Sequence, residues 1–224
     1  MKKFMTASFI LILAIIFTIF YACRDRSIGT PAPEPTNTPT PTRTPTPTHT
    51  ATPLQITGLI DDFADCNGSN VYGGAWFAYG DSNNTFTNPP PTVTPGYNGS
   101  DCALKFEGVA AASCGYGVWM SNSLLSGATV DLSGNTVISF YAKGSGTYRI
   151  VLISPITQYN DYQYVFSAPS SWSQIVIPFT SFTQPQNFNL APIQQALSGV
   201  TNISFANGSC GMTINLLIDE VRVY

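Results

Sequence analysis

TVISFYAKGSGTYRIVLISPITQYNDYQYVFSAPSSWSQIVIPFTSF, residues 136–182, decides the fold. Ile138, Phe140 and Ala142 alternate with Ser139, Tyr141 and Lys143, and the turn Gly144-Ser145-Gly146 follows. Tyr148, Ile150 and Leu152 then alternate with Arg149, Val151 and Ile153. Tyr162, Tyr164 and Phe166 continue the pattern, Pro169-Ser170-Ser171 makes the next turn, and Ser173–Phe179 gives another strand. Successive side chains of an extended chain point to opposite faces. Period-two runs of β-branched and aromatic residues therefore mark half-buried antiparallel strands. Nothing in the stretch is helical. It predicts an all-β domain and places these residues in the middle of a β-sandwich or jelly roll.

Charge narrows the chemistry. Before residue 54 the basic residues are Lys2, Lys3, Arg24, Arg26 and Arg43, against Asp25 and Glu34. Beyond it Lys105, Lys143, Arg149 and Arg222 face ten acidic residues. The folded part is acidic and lacks a basic stripe to displace counterions from phosphates, which excludes a nucleic-acid partner. The one histidine is His49. The domain therefore has no imidazole for a Ser/His or Cys/His pair or for a zinc site.

Upstream of the domain the chain reads as an export segment and a spacer. Lys2 and Lys3 precede a nearly unbroken apolar run, Phe4–Ala22, with Cys23 directly after the small Ala22. This resembles a bacterial lipoprotein signal peptide (1–22), with Cys23 as the lipidated residue of the mature chain. An uncleaved membrane anchor is the alternative, because about 19 apolar residues nearly span a bilayer. Either arrangement tethers the rest to the membrane, outside the cytoplasm, on the bacterial cell envelope. Residues 23–53 form the linker, and Thr30–Pro53, TPAPEPTNTPTPTRTPTPTHTATP, holds no core-forming run. Proline fixes φ and lacks an amide hydrogen, so the segment favours extended polyproline II. At ~3.1 Å per residue it reaches roughly 70 Å.

The domain spans 54–224. Ile56–Phe63 reads as its first strand, Cys102–Gly108 (CALKFEG) as another, and Gly115–Ser121 (GYGVWMS) as the hairpin partner of that strand. A short helical turn is expected within 187–197, and Val200–Ala206 and Met212–Tyr224 close the sheets. Cys66, Cys102, Cys114 and Cys210 are an even set in an exported domain, so one or two disulfides are expected. Three pairings are open to them. We prefer 114–210 with 66–102, because Cys114 and Cys210 sit in similar tight loops while Cys66 and Cys102 each flank a strand. A four-cysteine metal site lacks the CxxC spacing that would support it.

Several phrases in order carry a resemblance. They are IDDF, CALKFEG, GYGVWMS, VDLSGNTVISFYAKGSGTYRIVLI, WSQIVIPFTSF and the terminal LIDEVRVY. Together they resemble the family 11 carbohydrate-binding modules and the related complex I intermediate-associated domains, both galactose-binding-like β-sandwiches. The resemblance implies a jelly roll of two antiparallel sheets with a β-glucan groove on the concave face. It carries Tyr116 into that groove, with an aromatic from the glycine-rich loop, Tyr79 or Trp76. Asn160 and Asp161 enter as polar positions before the next strand, Gln163 lies within that strand, and Gln184 stands in the region where the family has a basic residue. The resemblance also implies a structural calcium, Ca2+, held by Asp61, Asp62 and Asp219, whose hard oxygens suit that ion.

The residues support a sugar site independently of the family. A tyrosine or tryptophan stacks on the apolar face of a sugar, while amides, carboxylates and arginine bond its hydroxyls. Tyr141 and Arg149 are expected to share a face on adjacent strands, joined by Tyr162. The plain alternative is that these tyrosines are ordinary strand residues, and for Trp172, in a turn before a core strand, it is the preferred one. A lipid-anchored, non-catalytic polysaccharide binder is the first expectation. A protein-binding adhesion or assembly module is the second. A small glycosidase is the third; its only candidate carboxylates are Glu107 and Asp161.

Overall fold

The alternation read in residues 136–182 is realised as strands, but one glycine divides them between two sheets. The computed structural model describes residues 52–224. The signal segment, Cys23 and all but the last two residues of the linker lie outside the described residues. Residues 50–224 form a compact unit of their own, with core residues running from Ile56 to Val223.

The strands are β1 (Leu54–Gln55), β2 (Gly58–Asp61), β3 (Trp76–Gly80), β4 (Thr85–Phe86), β5 (Thr92–Val93), β6 (Ala103–Val109) and β7 (Val118–Ser123). They continue as β8 (Val130–Asp131), β9 (Val137–Ser145), β10 (Thr147–Ile153), β11 (Tyr162–Ser167), β12 (Ser173–Pro178), β13 (Asn202–Asn207) and β14 (Thr213–Val223). One short helix, α1 (Ile193–Leu197), lies where the sequence predicts a helical turn.

One sheet has the order β11-β10-β13-β7-β3. The other runs β12-β9-β14-β6-β4, with β2 beside β14 and β5 beside β6. Both are antiparallel, and the parallel pair β1–β8 stands apart from them. The architecture is the predicted all-β sandwich jelly roll.

Between the sheets lie the residues that alternation assigns to the core. Phe140 of β9 meets Phe205 of β13 edge-on, with centroids 5.1 Å apart at 79°. Leu104, Phe106, Ile138, Leu216 and Ile218 of one sheet and Met120, Tyr148, Ile150 and Ile203 of the other have no exposed surface or almost none. Each such side chain contributes roughly 1.5–3 kcal/mol when fully buried. Both disulfides adopt the preferred pairing, Cys66–Cys102 and Cys114–Cys210.

Two sequence expectations about strand pairing are corrected. GYGVWMS is not the hairpin partner of CALKFEG: β7 pairs β13 and β3, whereas β6 belongs to the other sheet. Likewise β9 and β10 do not pair. Gly146, at φ +92°, turns the chain out of one sheet and into the other. A left-handed φ is cheap for glycine, so the strand can change sheets within one residue.

Asp61 closes β2 inside this core and is 3% exposed. Its Oδ1 accepts the Phe63 N–H at 2.9 Å and its Oδ2 the Trp76 Nε1–H at 2.8 Å. Burial outweighs those bonds and pushes its pKa up to about 7, with Asp65 and Asp62 adding to the rise. The folded state then holds this proton more tightly than the unfolded chain, where Asp titrates near 3.9. Stability is lost as pH rises from about 4 to about 7 and is level above that. Acidifying from pH 8 to pH 5 is expected to stabilise the domain by roughly 2–3 kcal/mol, read as a higher thermal midpoint. Asp61→Asn should flatten that slope. A midpoint that falls steadily from pH 8 to pH 5 would contradict the assignment.

Candidate functional site

The outer face of the five-stranded sheet can be read row by row from its register. Tyr79 of β3, Trp119 of β7, Ala206 of β13, Arg149 of β10 and Val165 of β11 stand directly opposite one another. The next row is Phe77, Ser121, Ser204, Val151 and Gln163. These positions point away from the core that their strand neighbours, such as Val118, Met120, Ile150 and Phe205, fill, and Ala206, Ser121, Ser204 and Val151 at the middle of the two rows are themselves buried.

Aromatic side chains crowd one side. Phe77 and Tyr79 lie 5.8 Å apart at 26°, and Tyr79 and Trp119 lie 6.0 Å apart at 15°. The indole Nε1–H of Trp119 donates to the Tyr116 carbonyl at 2.9 Å, which fixes the ring. Ala206, the smallest residue of its row, lets Arg149 lean across β13, so that its guanidinium carbon lies 5.5 Å from the Trp119 ring centroid. Arg149 Nε donates to the Asn207 carbonyl at 3.2 Å and Nη1 to Gln163 Oε1 at 3.3 Å. Beneath them Ser121 and Ser204 share a hydroxyl bond of 2.7 Å, with Asn202 Nδ2 donating to Ser121 at 3.1 Å.

At the β10–β11 end the face runs into a cleft of ≈ 590 Å³ lined by Ile153, Gln158, Tyr159, Asp161, Asn189 and Thr201. Gln158 (φ 47°) and Tyr159 (φ 72°) both hold left-handed backbone, and Tyr159 is 96% exposed. Two successive non-glycine residues at such φ are costly, and strain of this kind concentrates at ligand-binding loops. Asp161 Oδ1 accepts from the Ser154 N–H at 3.1 Å and from the Thr157 hydroxyl. No described donor reaches its Oδ2, and burial raises its pKa.

Tyr79 is pushed up to about 12, first by burial and then by the Asp161 carboxylate and Tyr116.

No family model matches the chain, and neither does any curated protein. Solved structures do. A family 11 carbohydrate-binding module from a cellulosomal cellulase of Clostridium thermocellum superposes with a TM-score of 0.55 at 18% identity, over 76% of this chain and 95% of that one. A family 11 module of the same organism, solved with a β-1,3-1,4-mixed-linked tetrasaccharide, gives 0.52 at 19% identity, over 75% and 96%. The fold is that of a family 11 carbohydrate-binding module.

On this sandwich the sequence-predicted residues separate into distinct groups. Tyr79, Arg149 and Gln163 come together on the outer face, Tyr116 stands exposed at the end of β7, and Asp161 lines the cleft. Tyr141 does not join them. It lies on β9 of the other sheet, where its ring stacks on Tyr97 at 3.5 Å with Trp172 edge-on to Tyr97. Tyr162 shares the sheet of Arg149 but points the other way, packs against the core and donates its hydroxyl to the Ala191 carbonyl.

Asn160 and Gln184 hold the loops behind the cleft. Asn160 is fully buried and bonds the backbone of Gln186 and Phe188. Gln184 bonds the backbone of Asn160, Asn189 and Ala191. Trp76 is in the core.

The calcium residues do not converge. Asp61 is engaged with Phe63 and Trp76, while Asp219 Oδ2 accepts from Tyr97 N at 2.7 Å and Ser100 Oγ at 2.8 Å. Among the described residues no three His, Cys, Asp or Glu side chains form a metal-holding group. Asp62 Oδ1 accepts the Ala64 N–H at 3.2 Å, so each of the three carboxylates is engaged with a neighbouring donor.

Sequence reasoning missed Trp119, Phe77 and Tyr159. The first was within reach, because alternation in GYGVWMS turns Trp119 away from Val118 and Met120.

Proposed function

We propose that this domain is a non-catalytic module that grips a β-glucan-like polysaccharide, displayed on the bacterial surface by lipid on Cys23 and the Thr-Pro linker. The observation that carries the reading is the strip Phe77–Tyr79–Trp119–Arg149 leading into a cleft that offers a free Asp161 oxygen. Rings suit the apolar faces of sugars, and the flanking polar groups suit hydroxyls. Fold alone does not assign a ligand, so the weight rests on this face.

A hydrolytic role finds no support in the candidate carboxylates. A glycosidase needs two of them some 5–9 Å apart around one bond. Glu107 pairs with Lys105 on the β6 strand of one sheet, and Asp161 precedes β11 of the other.

The test is a glycan array probed with residues 50–224, with and without EDTA. Binding to β-linked polymers, no release of sugar ends and no change on chelation are expected. Silence across the array from a folded domain would overturn the reading and favour a protein partner.

A further inference from the structure

Arg149 lacks the ion pair that Lys105 and Arg222 each have. The ion pairs among the described residues are Lys105–Glu107 and Arg222–Glu220. The neighbours of Arg149 on the face are Ala206, Val165, Trp119 and Gln163, none of them acidic. A guanidinium carries five N–H donors. Nε uses one on the Asn207 carbonyl and Nη1 one on Gln163, both neutral acceptors. The other three have no described partner.

The position is also partly removed from water, which disfavours the charge and lowers the arginine pKa. A half-desolvated cation held by neutral groups is an uncompensated cost. Hydroxyls would fill the free donors and leave the charge unanswered. A carboxylate answers both, because its two oxygens match the planar fork that Trp119 and Gln163 already hold in place.

We propose that Arg149 receives the carboxylate of a uronic acid unit, and that the polysaccharide in this cleft is an acidic β-linked heteropolymer. The inference rests on the polysaccharide reading above. Spacing of the charges follows from the rest of the domain. From residue 54 onward four basic residues face ten acidic ones, and Asp161 lines the cleft beyond. A densely charged polyuronate is repelled by that field, so isolated uronates among neutral sugars fit best.

The experiment titrates residues 50–224 with three forms of one mixed-linked β-glucan: the neutral polymer, the polymer oxidised to the carboxylate at a minority of C6 carbons, and the polymer sulfated to the same extent. We expect the oxidised form to bind at least about tenfold tighter than the neutral one, as one charge-assisted pair allows. Arg149→Gln should erase the difference, and Arg149→Lys, which keeps the charge and loses the fork, should retain only part of it. Equal or tighter binding of the neutral polymer by wild type overturns the uronate assignment and leaves the polysaccharide reading standing. Tightest binding of the sulfated form overturns the carboxylate in favour of another anion. No binding to any of the three forms overturns both readings.

Discussion

Trp119→Ala is expected to weaken polysaccharide binding by roughly 30- to 1,000-fold, about 2–4 kcal/mol, the range of a binding hot spot. Three contacts end with that one ring. It is the near-parallel neighbour of Tyr79 and the surface over which Arg149 lies. Its N–H also anchors the carbonyl of Tyr116. Truncation therefore removes one ring of the strip and frees Arg149 and Tyr116 to drift. The ring is on the outer face, so folding should be little disturbed, with a stability change of about 1 kcal/mol. Titration calorimetry beside a melting curve separates the two effects. Tyr141→Ala serves as the contrast. That ring is equally aromatic but belongs to the opposite sheet, and its loss should leave binding unchanged. Near-equal affinities for wild type and Trp119→Ala would move the site off this face.

Loss of the disulfides should have the largest effect on stability. Cys66–Cys102 closes 36 residues and Cys114–Cys210 closes 96. Chain entropy alone assigns these loops about 3.8 and 4.7 kcal/mol. Together they rival the whole stability of an ordinary domain, about 5–15 kcal/mol. The double variant Cys114→Ser/Cys210→Ser should therefore melt roughly 9–19 °C lower, and full reduction should unfold much of the population at body temperature. The same bridge also braces the aromatic face. Cys114 opens the turn that presents Tyr116, and its carbonyl accepts the Gly117 N–H at 2.7 Å. Asn207, just before Cys210, takes the Val118 N–H at 2.7 Å on its side chain and the Arg149 Nε–H on its carbonyl. The double variant should accordingly lose affinity as well as heat resistance. A midpoint shift of less than about 3 °C would show that the loop entropy is offset elsewhere.

What was legible in the sequence follows from what period two encodes. It reports which way a side chain points relative to its own strand, and it did so correctly for Phe140, Arg149, Ile150 and Phe166. It says nothing about which sheet a strand joins. Gly146 and the long excursions around β7 set that, so Tyr141 was placed beside Arg149 and GYGVWMS beside CALKFEG. The disulfide pairing was readable because loop context limited it. The loop-bracing roles of Asn160 and Gln184 were not, since a polar side chain bound to backbone looks the same in sequence as one awaiting a ligand. The acidic residues behaved alike: Asp61 and Asp219 spend their oxygens on neighbouring N–H and O–H groups, a commitment that only the folded arrangement reveals.

The position of Cys66 also sets how the domain bears load. Force arriving through the segment before Leu54 first peels the two-residue pair β1–β8 and then draws β2 from the edge of β14. It stops at Cys66, where the covalent bridge to Cys102 passes the tension into β6. The residues from Leu54 to Cys66 span at most roughly 40 Å when fully extended, and drawing them out would first have to break the Asp61–Trp76 bond that ties β2 to β3. Were the domain tethered through that segment as proposed above, a short stretch of chain would stand in series with the disulfide-held remainder.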